Sequence, residues 1–295
     1  MGSHLMAFDR DTVLNWPIPE AQQLYTPRDT MLYALGIGMG ADPCDEAELC
    51  FVQERGLRAF PSMAVVLAHP GFWMRDEKAG IDWTRVLHAE QSVRLLRPLP
   101  PAAHVVSTSR VVEIVDKGAG RGALLRQERE VRLEDTGELL AVVDMLAFCR
   151  GDGGCGGPTE RARELESVPG RAPDITHRLP TLPQSALIYR LSGDYNPLHS
   201  DPEVARRAGF DRPILQGLCT LGVALRSALG KARAYETDRV RGFDVRFVAP
   251  VYPGETIRTE IWDEGETLRF RAYADERDTL VLDKGQVVLG AMPGG

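Results

Sequence analysis

Two stretches of this 295-residue chain repeat one pattern at a fixed distance, and that repetition limits the fold more than any other feature. Val93-Arg94-Leu95-Leu96-Arg97-Pro98-Leu99-Pro100-Pro101 is answered by Val245-Arg246-Phe247-Val248-Ala249-Pro250-Val251-Tyr252-Pro253. The Val-Arg pair and two later prolines keep one offset, since 245−93, 250−98 and 253−101 all equal 152. Strand-like runs follow each copy, around residues 103–115, 122–133 and 139–149, and again around 255–263, 266–274 and 279–289. Alternation such as Thr256-Ile257-Arg258-Thr259-Glu260-Ile261 fits antiparallel strands with one wet face. Between the copies, Gly-Asp-Gly-Gly-Cys-Gly-Gly at 151–157 and Pro158, Pro169, Pro173, Pro180 and Pro183 read as a linker. The stretch has neither GxxxxGK[ST] nor a strand–GxGxxG–helix context, which argues against a phosphate loop. The expected organisation is an expression scar over 1–6 (MGSHLM), a first half over 7–150, a linker over 151–183 and a second half over 184–295.

Each half also carries an apolar helix ahead of its strands. In the first, Thr26 suits an N-cap, Pro27 the first helical position, and Met31, Leu32 and Leu35 form a stripe. In the second, Leu218, Leu221, Leu225 and Leu229 repeat at helical spacing, with Gly230 as the expected stop. Val223, Ala224 and Ala228 extend the apolar surface around that helix, so a sheet should wrap it. The predicted class is α+β: an antiparallel sheet curled around one central helix, made twice. The helix starts, near 27 and 218, differ by 191 rather than 152, which predicts roughly 39 extra residues between helix and sheet in the first half, beyond most connections in compact domains.

Composition narrows the partners. A net charge of −7 leaves no basic field for nucleic acid or an anionic membrane. No apolar run approaches the roughly 18 residues of a membrane-spanning helix. Cys44, Cys50, Cys149, Cys155 and Cys219 are odd in number and lack CxxC spacing, which supports neither a zinc site nor a disulfide framework. Without a secretory signal or a peroxisomal SKL-type ending, a cytoplasmic location is expected.

The densest polar cluster is Ser192-Gly193-Asp194-Tyr195-Asn196-Pro197-Leu198-His199-Ser200-Asp201-Pro202. Pro197 disfavours helix at Asn196, so this is expected to be a loop that aims Asp194, Asn196 and His199 together. It should lie between a strand-like run, Leu187-Ile188-Tyr189, and a helix capped by Asp201, started by Pro202 and ended by Gly209. A carboxylate and an imidazole that share a water can take a proton and return one. Gly217 sits where the long apolar helix should begin. A backbone N–H there faces outward without a side chain to block an approaching oxyanion.

The run from Tyr189 to Ala205 resembles the hydratase 2 family, the MaoC-like (R)-specific enoyl-CoA hydratases, whose pattern is approximately Y-R-L-S-G-D-x-N-P-L-H followed by a small residue. The likeness continues through Ala208-Gly209-Phe210-Asp211, Pro213–Thr220 and Pro250–Gly254. In the first half it takes in Arg28-Asp29, Leu32–Gly36 and Val86–Gln91. It covers nearly the whole chain, as in two-repeat members of the kind found as the hydratase domain of peroxisomal multifunctional enzyme type 2. The resemblance implies a double hot-dog fold with one working site and reversible hydration of a trans-2-enoyl-CoA to a (3R)-3-hydroxyacyl-CoA. Asp194 and His199 would hold and activate water, Asn196 would orient them, and the Gly217 N–H would bind the thioester oxygen. His88, Ala89, Lys117, Tyr195, Pro197, Leu198 and Phe247 would contact the acyl-CoA substrate. No metal or separate cofactor is implied, coenzyme A being part of the substrate, and a homodimer is expected. Ala89 stands where the family commonly has Gly, and Gln216 where it commonly has His, so altered contacts are expected there.

The first half has no D-x-N-P-x-H, and Asp42-Pro43-Cys44-Asp45-Glu46 lacks a partner histidine. That half is expected to have lost catalysis and opened a channel for the acyl chain. His69, His104 and His177 lie outside the motif, Lys117 falls in a hairpin turn, and Cys219 has no adjacent base. Alternative functions are a specialised dehydratase for short, branched or dicarboxylic acyl-CoA, a non-catalytic acyl-CoA-binding module, or a hot-dog thioesterase. The intact Asp194/Asn196/His199 set argues against a pure binding module, and the Asp/His spacing favours hydration over thioester cleavage.

Overall fold

The protein was described with a computed structural model that covers residues 8–290, so the scar at 1–6 lies outside the described residues. The first half contributes β1 (Ala21–Tyr25), β2 (Val86–Leu95), β3 (Ala103–Asp116), β4 (Ala123–Leu133) and β5 (Leu139–Cys149). The second contributes β6 (Ile175–Pro180), β7 (Val240–Phe247), β8 (Thr256–Asp263), β9 (Thr267–Ala274) and β10 (Thr279–Leu289). The helices are α1 (Arg10–Leu14), α2 (Pro27–Gly36), α3 (Glu46–Leu49), α4 (Ser185–Tyr189), α5 (Pro202–Arg207) and α6 (Gly217–Arg233). All strands join one antiparallel sheet in the order β1-β3-β4-β5-β2-β7-β10-β9-β8-β6. Each half is thus a five-stranded unit of one topology, and the two meet edge to edge through β2 and β7.

The register at that seam carries the mark of duplication. Glu90 lies opposite Arg246, Ser92 opposite Asp244, and Arg94 opposite Gly242. Ser92 and Asp244 are themselves 152 residues apart (244 against 92), so the repeat offset places equivalent residues face to face across a pseudo-twofold axis. The remaining elements follow in step. β6 starts 154 residues after β1 (175 against 21), α4 158 after α2 (185 against 27), α5 156 after α3 (202 against 46), and β7 154 after β2 (240 against 86).

This correspondence corrects the expected pairing of helices. The counterpart of α2 is α4, and the two pack together across the axis, with Tyr33 and Tyr189 rings 5.8 Å apart. The counterpart of α6 begins near residue 65 (217 less 152), where a 3-10 turn, Pro61–Val65, replaces the long helix. Pro61, Pro70, Gly71 and Gly80 break helical continuity over this stretch. No 39-residue insertion is therefore needed: residues 61–85 are the unwound equivalent of α6. The double hot-dog plan holds, with α6 packed into the second-half sheet and the turns of 61–85 covering the first.

Local expectations were corrected in four further places. Leu35 is 47% exposed, because α2 buries Thr30, Tyr33 and Ala34 instead of the Met31/Leu32/Leu35 stripe. Gly230 does not stop α6, which runs on to Arg233; it makes room for Tyr235, whose hydroxyl oxygen would lie 2.7 Å from an added Cβ. The end of the expected linker forms β6, an edge strand whose Pro180 needs no ladder partner for its nitrogen. The strand-like run at 187–189 is part of α4.

The segment before β6 crosses the outer face of the β2–β7 seam. Arg161 donates 3.0 Å to buried Glu90, Arg246 donates to the same carboxylate, and Arg163 reaches Asp244. The strap therefore neutralises the acidic residues that the seam buries.

Candidate active site

The loop between α4 and α5 is built by turn chemistry. Gly193 takes φ +119, a left-handed angle that a side chain would strain, and this turns the chain out of the 3-10 end of α4. The Asp194 carboxylate accepts the Asn196 N–H at 3.2 Å, and the Asn196 side chain accepts the Leu198 N–H at 3.1 Å. Asn196 thereby caps the short turn Pro197–His199, with Pro197 in its first position. Asp201 caps α5 by accepting from Glu203 and Val204, as the sequence predicts, and Gly209 follows the helix at φ +89.

His199 is half-buried and held in one tautomer. Its Nδ1 lies 2.8 Å from the Ile214 carbonyl, an atom that can only accept, so Nδ1 carries the proton. Nε2 then presents a lone pair, and it takes no protein hydrogen bond among the described residues. Ile214 is three residues before Gly217, so this one bond couples the histidine to the start of α6.

Gly217 is the first residue of α6, and helix geometry leaves its N–H without an intrahelical acceptor. An added Cβ would sit 3.1 Å from two ring atoms of Phe247 at the end of β7. Phe247 in turn packs on His88, with ring centroids 4.7 Å apart. The structure thus brings Gly217, Phe247 and His88 into one row that joins both halves. Gln216, at the family's customary histidine position, is buried and donates 3.0 Å to the Ala186 carbonyl, tying α6 to α4.

Ala89 explains how His88 reaches that row. Along β2, Gln91 and Val93 face the core and Glu90 faces the strap, so regular alternation would send His88 outward with Glu90. A bulge at Ala89 interrupts the pairing: His88 lies opposite Ala147 and Glu90 opposite Leu146. The extra residue turns His88 to the inner face. Ala89 keeps a negative φ, so glycine is not required there. Burial pushes the His88 imidazole down to about 4, and its Nε2 is sealed from water without a protein partner.

The other predicted contacts are more scattered. Tyr195 is 58% exposed, with the Arg190 guanidinium 5.1 Å over its ring. Pro197 and Leu198 serve the turn beneath His199. Lys117 sits in the β3–β4 hairpin, two strands away from β2 at the same end of the sheet as His88. It lines a small surface depression with Asp116, Gly118, Arg121 and Thr159. Asp116 accepts the Gly118, Gly154 and Gly156 N–H groups, which locks this hairpin to the glycine-rich segment.

Two contributors fall outside the expected site residues. One is the Ile214 carbonyl, since a backbone oxygen has no side-chain signature. The other is Tyr189, which opens the matched motif without having been assigned a role; it is fully buried with its hydroxyl unpaired, and burial raises its pKa well above the usual range. Cys219 is buried against the Gly36 carbonyl at 3.4 Å, a packing position. No group of three or more metal-ligating side chains occurs among the described residues.

Comparison with known proteins agrees with this geometry. The MaoC like domain matches residues 164–284, and the MFE-2 hydratase 2 N-terminal domain matches residues 24–151. Enoyl-CoA hydratase ChsH3 of Mycobacterium tuberculosis is 37% identical over 284 residues, covering 95% of this chain and 98% of that protein. The peroxisomal enoyl-CoA hydratase 2 of Arabidopsis thaliana is also 37% identical, covering 93% and 94%. Among solved structures, a MaoC-like dehydratase from Phytophthora capsici superimposes with a TM-score of 0.82 at 34% identity, over 95% of this chain and 98% of that one. Full-length peroxisomal multifunctional enzyme type 2 from Drosophila melanogaster superimposes with a TM-score of 0.80 at 32% identity, and this chain spans 48% of its length. With both halves matched in order and the ChsH3 and Arabidopsis hydratases covered almost end to end, the chain belongs to the MaoC-like, hydratase 2 family of two-repeat dehydratases.

Proposed function

We propose that this protein is an (R)-specific enoyl-CoA hydratase, which adds water reversibly to a trans-2-enoyl-CoA to give a (3R)-3-hydroxyacyl-CoA. The observation that carries the reading is the His199 imidazole, held at Nδ1 by the carbonyl of Ile214, a residue three positions before the exposed N-terminus of α6, which leaves Nε2 available. Water held by Asp194 and His199 would add its oxygen to C3 while one of its protons passes to the Asp/His pair, and the pair would deliver a proton to C2. As the C3–O bond forms, negative charge collects on the thioester oxygen, where the Gly217 N–H and the α6 dipole would stabilise it. His88 and Phe247 would flank the thioester, and Lys117 would meet a coenzyme A phosphate. These roles need no metal or redox cofactor. A homodimer in the cytoplasm is the proposed state.

Crotonyl-CoA and longer enoyl-CoAs, followed by loss of the conjugated thioester absorbance with chiral analysis of the product, test the reading. Hydration to the R alcohol is expected, and an S product or no turnover at any chain length would overturn it. Asp194→Asn and His199→Asn should each lower kcat by about 10²–10⁴-fold with unchanged unfolding curves.

A further inference from the structure

The inner face of the first-half sheet carries two separate apolar cores. One joins Val93, Val131 and Val143 to the Phe60–Leu67 stretch; the other joins Leu125, Ala147 and Cys149 to Trp73 and Met74. On β4, the inward positions between them are Gln127 and Arg129, which belong to neither. Gln127 is occupied by the Trp73 indole N–H at 2.7 Å. Arg129 is different. It is only 3% exposed, and its Nη2 donates to the Val65 and Ala64 carbonyls. Its Nε and Nη1 are buried with no acceptor, and it has no ion pair among the described residues.

A permanently charged guanidinium without a counter-ion is a costly thing to bury, and its unused donors call for an occupant. The surroundings add a second orphan: Ser109, directly opposite Arg129 on β3, has a buried hydroxyl with no partner. His69, at the junction of the two covering stretches, keeps an open side to solvent. Strand register fixes the distance from this polar stretch to His88. His88 is opposite Ala147, which is opposite Leu125, four residues along β4 from Arg129. Two strand spacings and four residues correspond to roughly 17 Å between backbones, a span that an acyl chain of several carbons can bridge with the Arg side chain.

Resting on the hydratase reading above, we propose that this seam takes the far end of the acyl chain and that Arg129 binds a carboxylate there, making ω-carboxylated enoyl-CoA the preferred substrate class. A carboxylate oxygen can accept from the free Nη1–H groups or from the free Nε–H, and the Ser109 hydroxyl can donate to the same group.

The test compares binding of saturated acyl-CoAs ending in a carboxylate with methyl-ended partners of equal length, by competition, and turnover of the matching enoyl-CoAs. Wild-type protein should favour the carboxylate roughly 10- to 100-fold, with the preference peaking at one chain length because the guanidinium is fixed. Arg129→Gln should bring the ratio close to one, and Arg129→Lys should fall between, keeping the charge without the planar guanidinium donors. No carboxylate preference at any length in the wild type, or a ratio that Arg129→Gln leaves intact, overturns the proposal. Should Arg129→Gln fail to fold, the wild-type length series and Arg129→Lys decide. Carboxylate-selective binding without hydration would sink the hydratase reading alone, whereas hydration without selectivity would sink this proposal alone.

Discussion

Replacing Gly217 with alanine separates the chemistry of the α6 N-terminus from its packing. Gly217 has ordinary helical backbone, so alanine introduces no backbone strain, and helix propensity favours it by up to about 1 kcal/mol. Against that gain stands one contact: the new methyl would lie 3.1 Å from the Phe247 ring, which must give by a few tenths of an ångström. Those terms oppose each other, so stability should stay within about 1 kcal/mol of wild type. Activity should not. The methyl borders the N–H proposed to meet the thioester oxygen, and a displaced Phe247 also moves against His88, 4.7 Å away. Compromising one oxyanion donor costs about 10²-fold or more, or about 2.7 kcal/mol of transition-state stabilisation. The assay is kcat/KM on an enoyl-CoA beside a denaturant titration of the same preparation. Gly217→Ala retaining activity within about threefold of wild type would refute the oxyanion role, and a parallel loss of several kcal/mol in stability would assign the effect to packing instead.

Three further outcomes are expected. Asn196→Ala removes the cap under His199 and should lower kcat with a stability loss of about 1 kcal/mol or less, read by kinetics and chemical denaturation together. Glu48→Ala should destabilise by about 3–5 kcal/mol, because it leaves Arg226 on α6 and the Tyr235 hydroxyl without their buried acceptor; Glu48→Met with Arg226→Met should recover most of the loss. Finally, burial alone would raise the pKa of Glu48 and Glu90, but hydrogen bonds from Arg226 and Tyr235 to the first and from Arg161 and Arg246 to the second outweigh it and hold both below their ordinary 4.5. Their contribution is present above that value and is lost as the pH falls through the folded pKa values, so thermal stability should drop on acidification below about 4.5 and hold from there to neutrality.

The duplicated sheet was legible because strand pairing leaves a periodic record: the 152-residue offset that matched Val93 to Val245 also places Ser92 opposite Asp244. The site loop was legible because Pro197, Asp201 and Pro202 dictate local turns whatever surrounds them. Long-range choices were not. Thr26 and Pro27 announce a helix start without saying which helix of the other half it matches, which is why α2 was equated with α6. The bulge that turns His88 inward depends on the register of β5, about sixty residues downstream, and Ala89 carries no local sign of it. Helix and strand cues at Leu187–Tyr189 compete, and the contact of Tyr189 with Tyr33 on α2 belongs to the tertiary fold.

The symmetry also accounts for why two similar halves hold one candidate site. Asp194–His199 lies between α4 and α5, and the equivalent stretch of the first half, between α2 and α3, contains Asp42-Pro43-Cys44-Asp45. There the Asp42 carboxylate only caps its own turn at Cys44, Asp45 caps α3, and no imidazole is present. The partner feature is missing too, since the 3-10 turn at Pro61–Val65 ends where α6 would begin and offers no long-helix N-terminus for an oxyanion. What α3 holds instead is Glu48, whose buried carboxylate clamps Arg226 in the middle of α6. The first-half loop thus leads into a helix that clamps α6, the element on which the candidate site depends. Where α6 would run in the first half, the turns of 61–85 cover the sheet instead, and beneath them Arg129 and Ser109 keep buried polar atoms without a protein partner.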